Sequence, residues 1–218
     1  MSGFATLQGD PIVDGTVTLP YSGIWHATLQ LDRVPVWSSG PLTLQLADAT
    51  YVCSPVRFFD FSGARQVLVV GGQGGWRKQV PSKQYANGAL TVLVTADVAA
   101  EVGEVPPVIG PTVPASLGMN WVRSAGLASD VLNQIFGSAW FMDASGIVQT
   151  MARPPVPIVS QFTVIQVQGA QGIYSVATDS PADWIPGKAF VGPTASGIIN
   201  RVMHTIAKGS FRTEVVVP

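Results

Sequence analysis

The chain has 218 residues, 47% of them hydrophobic, and a formal net charge of −1; it is long enough to bury a real core and carries no electrostatic footprint for nucleic acid. Only 11% of residues are charged, less than half of the ~25% usual in soluble domains, and lysine is confined to Lys78, Lys83, Lys188 and Lys208. No run reaches the ~18 apolar residues of a membrane helix, "MSGFATLQGDPIVDG" has neither a basic nor an apolar leader region, and Cys53, being alone, excludes an intrachain disulfide.

The first hundred residues read as β. In "GIWHATLQLD", Trp25, Ala27, Leu29 and Leu31 alternate with His26, Thr28 and Gln30, placing the apolar set on one strand face. "PLTLQLADATYVC" repeats the pattern through Leu42, Leu44 and Leu46 and turns near Asp48. "VRFFDF", "RQVLVV" and "GALTVLVTAD" come next as further strands, each bounded by Gly, Pro, Asn or Asp. Short strands at this spacing predict a closed barrel or sandwich. "TADVAAEVGE" then predicts one or two helical turns, capped by Thr95 or Asp97 and stopped by Gly103.

"VPPVIGPTVPASLG" carries four prolines and supplies neither helix interior nor central strand. Beyond it, "SAGLASDVLNQIFGSAWF" places Ala128, Val131, Leu132 and Ile135 at helical spacing, with Gly137 where a C-cap glycine belongs. "AWFMDASGIVQTM" predicts a hairpin around Asp143 to Gly146. After a second proline-rich joint, "RPPVPIVSQ", β patterning resumes, and the last two strands flank "AKGS" as an antiparallel hairpin. The expected fold is mainly β, with two β-barrel-like domains and a small helix-plus-hairpin insert. Its boundaries are 1–105 for the N-terminal barrel-like domain, 106–118 for the linker, 119–152 for the insert and 153–218 for the C-terminal β domain.

"VLVVGGQGGWRKQV" has the look of a phosphate loop, an apolar strand running into glycines and a basic pair. A dinucleotide fingerprint started at Gly72 gives Gly72, Gly74 and then Arg77 in place of the third glycine, and no start gives the P-loop spacing. Pro81 interrupts the residues after the basic pair, so no helix N-terminus is in place to hold an anion. The stretch reads instead as strand, Gly-rich bend and return through Trp76. Trp76, Arg77 and Lys78 then become candidate contacts to a neighbouring subunit.

Other chemistry is thin. His26 and His204 sit in expected strands without Cys, Asp or Glu at ligand spacing, and no Gly-x-Ser-x-Gly elbow occurs. Cys53 in "TYVCSPV" lacks a local thiolate-stabilising cation. Glu101 and Glu104 have a spacing that suits an acid and base pair, but their simplest role is to solvate a helix end. The chain has six tryptophans, Trp25, Trp37, Trp76, Trp121, Trp140 and Trp184, which suit core, interface or sugar contacts. Trp37 and Trp184, in loop-like "VPVWSSGP" and "SPADWIPG", are the two expected to touch a partner. No metal, cofactor or catalytic residue is expected.

Interface centres are depleted in Lys, Glu and Asp, so a chain this poor in charge reads as a subunit covered on several sides. A compact β domain with a Ser/Thr/Asn/Gln surface is the alternative. The order of "GIWHATLQLD", "VLVVGGQGGW", "TADVAAEVGE", "MNWVRSAGLASDVLNQIFGSAWFMDASGIV" and "GIINRVMHTIAKGSFRTEVVV" resembles the hub proteins of tailed-bacteriophage baseplates and tail tips. The resemblance implies a non-enzymatic virion protein assembled in the host cytoplasm. It implies a homotrimeric ring joining the tail tube to the central spike or tip, with viral DNA passing through the lumen without specific binding. The chain ends after its last hairpin, so no appended lysozyme, peptidase or receptor-binding module is expected. The rival readings are a β-rich carbohydrate-binding module, which would expose coplanar tryptophans, and a small cell-wall hydrolase, which would show a cleft around Glu101, Glu104 or His204.

Overall fold

The computed structural model describes residues 4–207 and 210–218. Strand accounts for 46% of the chain and helix for 14%, so the fold is mainly β. Six strands close a barrel: β1 (Ala5–Leu7), β2 (Asp10–Pro20), β3 (His26–Leu31), β4 (Leu42–Leu46), β5 (Ala49–Phe61) and β6 (Ala64–Gly71). Their order is β1-β4-β5-β6-β3-β2, and β1 pairs back onto β2. The helical part comes next as β7 (Gln79–Val80), β8 (Lys83–Tyr85), α1 (Thr91–Val102), β9 (Trp121–Arg123), β10 (Gly126–Leu127) and α2 (Ala128–Phe136). A hairpin of β11 (Phe141–Met142) and β12 (Val148–Gln149) completes it. The C-terminal strands are β13 (Phe162–Gln168), β14 (Ile173–Thr178), β15 (Ala189–Val191), β16 (Ser196–Ile198), β17 (Arg201–Ala207) and β18 (Ser210–Val216).

The expected alternation places the barrel core. Ala27, Leu29 and Leu31 on β3 and Leu42, Leu44 and Leu46 on β4 point inward and are buried, with Trp25 beside them. β2 needs a correction to keep its apolar side chains inside. Asp10 and Ile12 are buried, then Gly15, Val17 and Leu19, and the change of parity falls at a register shift between Ile12 and Asp14. One extra residue there turns the side chains beyond it back to the core face. β2 and β3 approach closely at Gly15, where a Cβ would lie 2.7 Å from the Thr28 carbonyl oxygen.

β2 also carries the sheet onward. One of its edges pairs with β1 through Asp10 and Pro11 and, further along, with β17 from Gly15 to Pro20. The sheet then continues as β17-β18-β14-β13. β17 and β18 form the expected antiparallel hairpin, though Lys208 and Gly209 of its turn lie outside the described residues. Buried side chains of the barrel, both helices and these strands make one continuous cluster.

α2 and the hairpin after it match expectation. Ala128, Val131 and Leu132 are buried, Asp130 Oδ2 accepts the Leu127 N–H at 3.1 Å, and Gly137 closes the helix with φ 60°. α1 corrects the sequence reading: "GALTVLVTAD" is no strand, because the helix already starts at Thr91. Val94, Val98 and Val102 keep to helical spacing and are buried, but Val92 and Leu93 on the outer face are apolar too. That outer pair turns an amphipathic helix into an apolar, β-branched run, which mimics a strand. Thr95 is no cap; it lies mid-helix with Oγ1 donating to the Thr91 carbonyl at 2.9 Å. Gly103 does stop the helix, in the left-handed region.

Candidate assembly interface

β5 changes character along its length. Its first five residues alternate as barrel wall, with Ala49, Tyr51 and Cys53 buried. A register shift falls between Pro55 and Arg57, and from Val56 to Phe61 every side chain is exposed. β6 pairs with this stretch through a two-residue reversal at Ser62 and Gly63, both at positive φ (48° and 80°). The result is an arm: β5 runs on past its last pairing with β4 at Cys53 and is held there by β6 alone, which β3 covers on its other edge from Arg65 to Val70. Phe58, Phe59 and Phe61 are 40 to 49% exposed on it.

Cation–π stacking orders the arm. The Arg57 guanidinium lies 4.6 Å from the Phe59 ring centroid, and that of Arg65 lies 4.5 Å from Phe58 and 5.7 Å from Trp37. Arg65 is held in turn by two hydrogen bonds to Asp60, at 2.6 and 2.9 Å, and donates to the Trp37 carbonyl. The aromatic surface is therefore fixed before any partner arrives, which lowers the ordering cost of association. Aromatic side chains and arginine are the residue types that dominate binding hot spots.

Two more surfaces expose apolar side chains. β13 ends the large sheet, its outer edge has no strand partner among the described residues, and "FTVIQVQ" contains no charged residue or proline. Natural exposed edges are normally protected by such residues. Around α1, Leu90, Val92, Leu93, Met119 and Val122 are all exposed. Isolated apolar side chains on a surface mean little, whereas clusters mark contacts.

The residues singled out from sequence take different places. Trp76 and Trp184 are 1% and 0% exposed, so as folded they offer no ring to a partner; Trp184 packs edge-on against Phe162. Trp37 is half-buried at the base of the arm and donates to Asp10 Oδ2 at 2.8 Å. Arg77 is exposed beside a shallow groove lined by His26, Ser22, Ser129 and Asn133, and makes no ion pair among the described residues. Lys78 donates to the Val102 carbonyl at 2.8 Å, so it caps the C-terminus of α1.

The glycine loop does cradle an anion, and the anion belongs to the chain. Glu104 Oε1 accepts the N–H groups of Gly75 and Trp76 at 2.6 and 3.4 Å, and Oε2 accepts that of Gln73 at 3.2 Å. Gly72 and Gly74 adopt positive φ around this nest, and a Cβ on Gly75 would lie 2.5 Å from the Val102 carbonyl oxygen. Burial raises the Glu104 pKa, and the three amides with Lys78 only partly offset it. Glu104 is therefore a buried structural acceptor rather than the solvated helix end expected from sequence. Glu101 instead faces Arg123, whose Nη1 lies 2.8 Å from Glu101 Oε2 and whose Nε donates to the Pro81 carbonyl.

His204 and Cys53 are held as structural side chains, whereas His26 is not. His204 is fully buried, its Nδ1 lies 2.9 Å from Thr213 Oγ1, and burial pushes its pKa down to about 3. His26 is exposed on β3, with its pKa lowered by partial burial and by Arg77. Burial pushes the Cys53 thiol up to about 12, leaving it unreactive. Among the described residues no cluster of His, Cys, Asp or Glu has metal-binding geometry. Trp25, Trp76, Trp140 and Trp184 are buried and Trp37 and Trp121 are half-buried, so these rings form no exposed sugar-binding strip.

The arm was partly visible in the sequence. Three phenylalanines within "FFDF" occupy both faces of one strand, so at least one face had to lie outside the core. The Glu104 nest had no local signal, because its carboxylate comes from about thirty residues further along the chain.

No protein-family profile and no curated protein matches the chain in sequence. Solved structures do resemble it in fold. The prophage MuSo2 43 kDa tail protein from Shewanella oneidensis superposes with a TM-score of 0.69 at 8% identity, covering 98% of this chain and 96% of that one. The E. coli c3393 protein, a type VI secretion system component with structural similarity to T4 bacteriophage tail proteins gp27 and gp5, gives 0.64 at 10% identity, covering 98% and 76%. The tail protein from Neisseria meningitidis MC58 gives 0.63 at 12% identity, covering 97% and 94%. At these identities the likeness establishes the fold: the chain is built on the fold of phage tail proteins.

Proposed function

We propose that the protein is a structural virion component of a tailed phage, a subunit of the baseplate or tail-tip hub ring that joins the tail tube to the central spike or tip. The observation that carries this reading is the combination, on a tail-protein fold, of an ordered aromatic arm with an uncharged sheet edge and an apolar helix face. A chain with 11% charged residues that displays such surfaces has the composition of a part covered by neighbours. In this reading the ring is a homotrimer assembled in the host cytoplasm. Residues 1–105 and 153–218 form its lateral contacts, and the 119–152 insert packs beside them. Exposed strand edges and the arm mediate contact by β-pairing and aromatic packing, and DNA passes through the lumen without a specific site. The role is mechanical rather than enzymatic.

Co-expression with the tail-tube and spike proteins of the same phage tests the reading. The expected result is a stable complex that co-purifies through size exclusion. A chain that stays monomeric beside both partners and binds glycans instead would support the carbohydrate-binding alternative.

A further inference from the structure

A cavity of about 380 Å³ lies where the end of the barrel, the β11–β12 hairpin and the loop before β15 meet. At about 30 Å³ per water it has room for roughly a dozen waters. Leu19, Trp25, Phe141, Met142 and Ile185 make its walls largely apolar. Arg153 and Tyr51 also line it.

Arg153 has an unusual set of partners. Its guanidinium lies 3.7 Å from the Phe141 ring centroid. Nη1 donates to the Pro186 carbonyl at 2.9 Å, Nη2 reaches the Pro20 carbonyl only at 3.4 Å, and the buried Nε has no partner. Arg33, Arg65 and Arg123 each face a carboxylate, whereas no carboxylate among the described residues lies within 4.0 Å of Arg153. A guanidinium has five N–H donors in a fork shaped for a carboxylate; with Nε sealed inside, the two contacts to neutral carbonyls leave one further N–H on each of Nη1 and Nη2. Burial lowers the Arg153 pKa to about 10, and the nearby Tyr21 and Asp143 only partly offset it. Tyr51 is 3% exposed, and its hydroxyl makes no hydrogen bond to a described residue.

Two acidic residues share the lining, Asp48 and Asp143, and both are committed elsewhere. Asp48 accepts from Ser180 Oγ and the Ala182 N–H. Asp143 accepts from Ser145 Oγ, the Ile147 N–H and Gln149 Nε2. Their charge weighs against any anion and more heavily against a polyanion such as phosphate than against a singly charged group, while the apolar walls favour a hydrocarbon body.

We infer that this cavity binds a monocarboxylate carried on an apolar body, with Arg153 and Tyr51 donating to the carboxylate and the body lying against Trp25, Phe141 and Met142. The same chemistry is offered by a free aliphatic acid and by the C-terminal residue of a neighbouring chain. The inference does not depend on the proposed role in the tail.

Calorimetric titration of the full chain with octanoate, N-acetylphenylalanine, their two amides and inorganic phosphate tests it, with total tryptophan fluorescence as a second readout. At least one acid is expected to bind saturably, with its amide and phosphate about tenfold weaker or worse, the loss expected for a charge-assisted hydrogen bond. Octanoate alone identifies a free acid as the source; N-acetylphenylalanine alone identifies a chain terminus. Arg153→Met is expected to abolish binding. Tyr51→Phe, which keeps the core ring, is expected to weaken it severalfold with an unchanged melting temperature, so the site remains testable even where Arg153→Met does not fold. No saturable binding of either acid at millimolar concentration, or equal binding of acid and amide, overturns the inference.

Discussion

The two halves of β5 share a strand and differ in everything else. From Ala49 to Cys53 every second side chain is sealed in the barrel, whereas from Val56 to Phe61 aromatic side chains stand in solvent on both faces. The first half obeys the usual rule of a half-buried strand. The second retains apolar residues that contribute little to the protomer's core and are held in place by Arg57 and Arg65. Hydrophobicity therefore serves folding in one half and, on the proposed reading, assembly in the other.

Substitutions can separate the two roles. The largest effect on stability is expected in the barrel wall: Leu44, fully buried opposite Tyr51, changed to Ala should cost about 2–5 kcal/mol in urea unfolding. Next comes the nest beneath the helical part. Glu104→Ala orphans buried N–H groups of Gly75 and Trp76 and should cost about 1–3 kcal/mol or more. Glu104→Gln, which keeps one acceptor oxygen, should recover part of that loss in the same measurement.

The third effect depends on pH. His204 titrates near 3 in the fold and near 6.5 when unfolded, so between those values the unfolded chain binds the extra proton. Its contribution is complete above pH 6.5 and is lost on acidification, at up to about 1.4 kcal/mol per pH unit. His204→Leu should flatten that slope in unfolding curves taken between pH 6.5 and 4; an unchanged slope would mean the histidine does not control it. The smallest effect on stability is expected at the arm, where Phe59→Ser should move the unfolding free energy by no more than about 0.5 kcal/mol while weakening association.

Sequence alone revealed what local pattern determines. The alternation in β3 and β4, the stripe of α2 with its Gly137 stop, and the hairpin around Asp143 to Gly146 could all be read directly. The second half of α1 and its Gly103 stop could be read in "TADVAAEVGE", but its first turns could not, because exposed Val92 and Leu93 prolong the apolar run. Trp76 and Trp184 sit in short, loop-like stretches, yet the core reaches them through contacts distant in sequence. The same limit hid the Glu104 nest and the Arg153 cavity, whose walls come from segments more than a hundred residues apart. Arg77 and Lys78, adjacent in sequence, have diverged in role: one is exposed without an ion pair among the described residues, the other caps α1.

The central claim is that the arm is an assembly surface rather than part of the fold. Native mass determination of the wild-type chain beside a Phe58→Ser, Phe59→Ser, Phe61→Ser variant tests it most directly. The account predicts a discrete oligomer, a trimer on the proposed reading, that falls to monomer in a variant which still melts cooperatively. A wild-type monomer, or an oligomer untouched by the three substitutions, would contradict it.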